Sequence, residues 1–342
     1  MSELKTNKIS TNDQNNVAID NALNLKSYTT AQRDALTSVA GDMIYNTTTS
    51  KVETYNGSAW EQAGGVDAFS IEYLVIAGGG GGNTSDDVTH GAGGAGGYLC
   101  NVNGENSGGN SSAEPAMYAP KSTNLTVTVG AGGGVNSAGS VSIFTSITAV
   151  GGGSGHNNGI NLSGSAGSPN GRTSGVPNPG YTNNISNQGS ASGDGVALWG
   201  SGGAGGAGAA GSDGTNNTGG NGGNGLASSI TGSSVTRGGG GGGGGGTTGG
   251  TGGSGGGGNG GAGSNASGTS GTANTGGGGG GSGYSTGGTP GSGGSGIVIL
   301  RWATADATIG ATRTGLTDGG VQTDGSDSYI VFTAGTGTIS FS

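Results

Sequence analysis

The sequence predicts a mostly β and irregular chain: a small N-terminal helix plus β-meander module, then a β-framed glycine-rich domain of stacked polyglycine-II helices. Three observations lead there. Glycine supplies 91 of 342 residues and charged residues only 8%, so conventional apolar cores must be small and local. The glycine concentrates in residues 200–296, with an unbroken run from 238 to 246. Two apolar strand patterns bracket it: SIEYLVIA (70–77) runs straight into glycines, and IVILRW (297–302) runs straight out of them.

Composition alone reads the glycine runs as a disordered linker. The alternative makes glycine itself the packing unit. A polyproline-II helix has three residues per turn and no internal hydrogen bonds. Every N–H and C=O then points outward and needs a partner. With no Cβ in the way, helices can bond to neighbours on all sides. Ordering glycine is entropically expensive, so only a bundle of many can persist. The runs at 200–211, 219–225, 238–246, 249–263, 276–283 and 287–296 offer the many, and the apolar brackets favour this reading. Collagen is set aside, because the chain has six prolines and no strict Gly-X-Y period.

Taken in order, residues 1–65 form an N-terminal module. Thr29 and Gln32 fit a capping box, Ala35, Leu36 and Val39 suggest an apolar helix face, and Gly41 suits a helix stop. Residues 42–46, 51–55 and 58–62 read as strands, the last two joined by Asn56-Gly57, a type I′ hairpin signal. So few large side chains call for a partner surface, and self-association into a trimer would supply one. Residues 66–303 form the glycine-rich domain. Its bracketing strands are expected side by side in one sheet, with further strands at 124–129, 140–144 and 147–150. SIFTSITAVGGG (from Ser142) is echoed by SITGSSVTRGGG (from Ser229). Polar insertions at 83–90, 101–121 and 155–199 read as loops. Residues 304–342 form a C-terminal β segment, with strands at 328–333 and 338–341.

Residues 23–62, LNLKSYTTAQRDALTSVAGDMIYNTTTSKVETYNGSAWEQ, resemble a module near the N-terminus of many tailed-phage fibre proteins. IEYLVIAGGGGG, GAGGAGGY, SITGSSVTRGGGGGG, SGTANTGGGGGG and GSGGSGIVILRW resemble the glycine-rich domain of marine phage proteins. Wider relatives are the receptor-binding adhesins of T-even-type tail fibres, which contain stacked polyglycine-II helices. The two similarities cover about residues 23–302, and 303–342 match nothing comparable. The resemblance implies a virion tail-fibre location, with another virion tail protein held at the N-terminus. The T-even-type adhesins dock on a fibre as separate proteins, whereas this chain carries its own fibre-like module.

Little in the sequence points to chemistry. G-x-G-x-x-G recurs throughout the glycine runs and carries no information, and no lysine follows a run to complete a phosphate loop. One cysteine, Cys100, excludes an intrachain disulfide and the common Cys/His zinc sets, and reads as a buried free thiol. Asp86-Asp87 point apart on an extended chain, unlike a glycosidase pair. Asp318, Asp324 and Asp327 could bind calcium, but Asp-Gly turns explain them more simply. The net charge of −9 argues against nucleic acid. The start MSELKTNKIS carries no apolar signal region, so export by a standard signal is not expected.

The expectation is therefore an adhesin, not an enzyme, without cofactor or metal. It would recognise a host-surface receptor, an outer-membrane protein or a glycan, through loops on a rigid scaffold. The receptor-binding candidates are aromatic and polar-tipped side chains in the insertions: Tyr118, His156, Arg172, Tyr181 and Trp199. Trp199 adjoins a glycine block and reads equally as a cover for it. The alternatives are a non-adhesive structural spacer or decoration fibre, and, further off, a depolymerase.

Overall fold

The computed structural model describes residues 24–63, 67–84, 90–155, 188–195, 199–284 and 287–342. It divides into two units, Met1–Asp67 and Ala68–Ser342.

In the first unit, β1 (Ser27–Tyr28), β2 (Met43–Asn46), β3 (Lys51–Tyr55) and β4 (Trp60–Gln62) form one sheet in sequence order. The capping box is present: Gln32 N–H donates to Thr29 Oγ1 at 3.3 Å, and Thr29 N–H donates to Gln32 Oε1 at 2.9 Å. The helix it starts, α1 (Thr30–Asp34), lasts little more than a turn. It ends before the apolar face expected of Ala35, Leu36 and Val39, and Val39 is 65% exposed. Gly41 takes φ +97° where the chain turns into the sheet. The β3–β4 connection also differs from the expected type I′ turn. Tyr55 pairs with Trp60 across a four-residue loop in which Gly57, but not Asn56, has positive φ. The Asn56 carboxamide oxygen accepts the N–H groups of Ser58 and Ala59, both at 2.8 Å, which replaces the tighter turn.

Ile44 is the one hydrophobic side chain buried among this unit's described residues. Its interior is instead polar. Glu53 accepts from Arg33 Nη1 (2.9 Å), Asn46 Nδ2 (3.0 Å) and Thr49 Oγ1 (3.1 Å). Burial pushes the Glu53 carboxyl up, and these three donors more than reverse that, leaving it below the usual range.

The second unit is framed by a nine-stranded sheet. β5 (Ala68–Ile76) is followed by β6 (Tyr98–Cys100), the short pair β7 (Asn106–Ser107) and β8 (Ser111–Ser112), and β9 (Met117–Pro120). β10 (Leu125–Val129), β11 (Ser142–Phe144) and β12 (Ile147–Ala149) come next, then the hairpin β13 (Leu226–Ser228) and β14 (Val235–Arg237). β15 (Ile297–Ala303), β16 (Leu316–Asp324) and β17 (Asp327–Ile339) close the chain. The main sheet runs β12-β11-β10-β17-β15-β5-β6, with β16 on β17 and β9 on β5. The expected bracket is present: β5 and β15 pair antiparallel, Ile297 opposite Ile76 and Leu300 opposite Tyr73.

Because side chains alternate, these two strands serve two cores. Ile71, Tyr73 and Val75 join Val298, Leu300, Trp302, Ile330 and Phe332 on one face. Leu74 and Ile76 join Ile297, Ile299, Tyr98 and Ile230 on the other. The echoed segments are both hairpins, β11–β12 and β13–β14, each ending where a glycine segment starts outward. Residues 304–342 supply β16 and β17 to this same sheet, and Phe341 packs edge-on to Phe69 and Trp302. Three expectations are corrected here, the first being the loop foreseen at 101–121, which carries β7, β8 and β9. The strand foreseen at 328–333 and the start of the one foreseen at 338–341 form one continuous β17, which passes through Gly335 at φ +99° and ends at Ile339. β16 was unforeseen because its Asp318-Gly319 reads as a turn; it is a bulge inside the strand.

The glycine segments pack as a bundle with a period of three. Gly78, Gly79 and Gly80 donate to Ser140, Gly294 and Gly94; Gly81, Gly82 and Asn83 donate to Ser137, Gly291 and Gly91. Each partner steps back by three as the donor advances by three. The same three neighbours are thus met once per turn, running antiparallel, as the three-residue polyglycine-II screw requires. The run 238–246 is enclosed throughout. Its N–H groups go to Gly255/Gly258/Gly261, Gly223/Gly220 and Gly93/His90. Its carbonyls receive from Gly278/Gly281, Gly253/Gly250 and Ala204/Ser201. Six neighbouring segments leave no direction for a side chain, which is why this run is glycine throughout. Two expected runs fold back on themselves: 249–263 reverses at Gly255 and Gly256 (φ +93° and +104°), and 200–211 reverses near Ala209.

Candidate functional site

Segments alternate in direction, so their connections collect at two ends. One end is the sheet, where Gly78, Gly130, Gly276 and Gly296 begin or finish next to strands. At the other end, away from the sheet, lie Asn83 and His90 and the turns near 134–137, 215–218, 246–249 and 263–266. Gly155, where the longest insertion departs, is there too: its N–H donates to Gly81 at 3.0 Å. That insertion returns at the sheet end, where Tyr98 N–H donates to Gln188 at 3.0 Å.

The far end is built from left-handed turns. Asn136 and Asn217 have φ 63° and 61°, a region that asparagine tolerates through local hydrogen bonds. Asn136 Oδ1 accepts Thr84 N–H at 2.7 Å, and its Nδ2 donates to Thr84 Oγ1 at 2.8 Å. His90 is 2% exposed, and its Nδ1 meets the Ser282 hydroxyl, which ties it into the scaffold.

Trp199 stands out at this end. It is 43% exposed yet adopts φ 56°, a costly conformation for a bulky side chain. Its carbonyl accepts Gly246 N–H at 2.7 Å, and its ring stacks on Tyr284.

The two candidates among the described residues, Tyr118 and Trp199, lie apart. Tyr118, 68% exposed, lies on β9 opposite Ser70, at the start of β5 and far along that strand from the bundle. Trp199 is at the far end. His156, Arg172 and Tyr181 lie outside the described residues. Tyr284 was not among the candidates, because no local signal pairs it with Trp199, 85 positions away by number.

Among the described residues, no group of three His, Cys, Asp or Glu side chains could hold a metal. Asp318 is engaged by Arg313 at 2.9 Å, and Asp324 and Asp327 by Arg301 at 3.1 and 2.8 Å. Cys100 is buried, which pushes its thiol up to about 12 and makes it a poor nucleophile. Along the bundle's flank runs an open groove of ≈ 330 Å³ lined by Ser212, Asn221, Asn224 and Thr251. The arrangement suits binding by presented side chains.

A family model described as glycine-rich domain matches residues 48–303. No curated protein and no solved structure matches the chain. The matched span takes in the bracketing strands β5 and β15 together with the whole bundle between them, and the chain belongs to this glycine-rich domain family.

Proposed function

We propose that this chain is a phage virion tail-fibre or adhesin protein that recognises a host-surface receptor, an outer-membrane protein or a glycan, without chemistry. The observation that carries the reading is the far end of the bundle. Backbone hydrogen bonds hold many loop ends in place there, and a strained, exposed Trp199 is presented among them. Backbone bonding makes few demands on loop sequence, so loops can vary while the scaffold persists. The first unit, whose described residues bury one hydrophobic side chain, suits attachment to another virion protein and association as a homotrimer.

Purified protein should bind host cells and compete with phage for adsorption. A protein that neither binds nor competes would instead be a spacer or decoration fibre. Release of reducing ends from host polysaccharide would make it a depolymerase.

A further inference from the structure

Arg237 ends β14, the second strand of the hairpin whose Ile230 fills the second core. It is 9% exposed, and its Nη1 is buried with no hydrogen-bond partner. Among the described residues it takes part in no ion pair. This is an anomaly. A guanidinium offers five donors and cannot shed its charge, and a buried charge ordinarily has a partner. The other buried arginine contacts in this unit follow that rule: Arg301 meets Asp324 and Asp327, and Arg313 meets Asp318.

A second orphan lies beside it. Tyr98 is fully buried and its hydroxyl also lacks a partner in hydrogen-bonding geometry. A Cβ placed on Gly238, the residue after Arg237, would sit 3.6 Å from the Tyr98 ring. Ser228, 1% exposed, adjoins the Tyr98 hydroxyl. So a cation and a hydroxyl donor, both desolvated and both unsatisfied, share the space beneath one hairpin. Burial holds the guanidinium below its ordinary value, with only the Tyr98 charge acting against that.

Among the described residues no carboxylate pairs with Arg237. Glu105, the acid at this hairpin, accepts the N–H and the hydroxyl of Ser229, both at 2.7 Å.

We propose that Arg237 and the Tyr98 hydroxyl bind one small monovalent inorganic anion of the halide class under the β13–β14 hairpin. A halide neutralises the guanidinium and accepts from both donors. Water would satisfy the donors and leave the charge uncompensated. Because the hairpin leads directly into the 238–246 run, the anion would lock the sheet end of that enclosed segment.

The test uses the full chain. Crystals grown in bromide are expected to show an anomalous peak within hydrogen-bond distance of the Arg237 guanidinium. The melting temperature is expected to rise with chloride relative to gluconate at equal ionic strength. Arg237→Met should abolish that chloride response, and Tyr98→Phe, which removes only the hydroxyl, should weaken it. A water or an empty position at Arg237 in bromide crystals would overturn the proposal. So would an unchanged chloride response in Arg237→Met, or in Tyr98→Phe if the methionine variant does not fold.

Discussion

Trp199 lies over Tyr284 with ring centroids 5.4 Å apart and planes 20° from parallel. The stack joins the residue that enters one inward glycine segment to the residue that ends an outward one. It holds Trp199 in a left-handed conformation that costs a side-chain-bearing residue about 1–2 kcal/mol. The stack itself returns about 0.5–1.5 kcal/mol beyond area burial. The two terms nearly cancel. Trp199→Gly should therefore change the melting temperature little, while adsorption to host cells falls at least about tenfold, the effect of losing about 1.4 kcal/mol. Tyr284→Ala should lower both, since it removes the support and leaves the strain. Unchanged adsorption in Trp199→Gly would move recognition away from this ring.

Gly242 tests the bundle. A Cβ there would fall on the Gly250 carbonyl, which is backbone and cannot swing aside. Gly242→Ala should cost more than about 3 kcal/mol, at the upper end of ordinary overpacking, and Gly242→Val more still. Gly134 is the control, because a Cβ there meets nothing within 4 Å and its φ is not left-handed. Gly134→Ala should be neutral or stabilise by about 0.4–1 kcal/mol, through the unfolded chain. Denaturant titration of both variants checks the contrast; equal effects would contradict the packing described.

Legibility in the sequence followed the physics of each part. The bracket of β5 and β15 was legible because a strand buried on both faces writes a continuous apolar run, as SIEYLVIA and IVILRW do. The bundle was legible in kind but not in arrangement. Its organising signal is a local period of three, seen in TGGNGGN (218–224), TGGTGGS (248–254) and GAGGAGGY (91–98). Segments with an outward side carry a side chain once per turn there, such as the exposed Asn221 and Asn224, while the enclosed 238–246 carries none. A search for one chain-wide Gly-X-Y repeat passes over this, because the period restarts in every segment. β16 was hidden by its own bulge, and α1 was overread because a capping box marks where a helix begins and not how far it runs. The Trp199–Tyr284 stack left no trace, since it depends on which segments become neighbours.

Glu53 makes the first unit acid-sensitive. Its folded pKa is depressed despite burial, by donors from Arg33, Asn46 and Thr49. Its contribution is therefore present above the unfolded value of about 4.3 and is lost as pH falls through the lower folded one. Amide exchange of β3 in the full chain should accelerate over that acid window. Glu53→Gln should raise exchange at neutral pH and flatten the acid dependence. An acid response unchanged in Glu53→Gln would assign it to another group.

Phe341 fixes the C-terminal residues to the frame. It is 1% exposed, with ring centroids 4.9 Å from Phe69 and 5.1 Å from Trp302, at the two outer ends of the bracketing strands. Phe341→Ala should cost about 3–5 kcal/mol, measured by thermal or denaturant unfolding. A loss below about 1 kcal/mol would mean that β5 and β15 hold together without the C-terminal strands.

The longest insertion offers the sharpest separation of scaffold from recognition. It leaves the bundle at Gly155, whose N–H is held by Gly81, and rejoins it at Gln188. Gln188 belongs to the frame. Its Oε1 accepts Val150 N–H at 2.8 Å and its Nε2 donates to Thr148 at 3.1 Å. One side-chain amide thus satisfies the open edge of β12 as a neighbouring strand would. Exchanging residues 156–187 with both anchors kept should leave the melting temperature within a few degrees and change host range. Extending the exchange through Gln188, or Gln188→Ala alone, should destabilise the frame by about 1–3 kcal/mol, the cost of unsatisfied buried groups. Within the insertion, alanine at Arg172 or Tyr181 should weaken attachment and leave folding intact. If an exchanged protein keeps its original host range, recognition rests on the Trp199 end or on Tyr118, and alanine at those two positions distinguishes them.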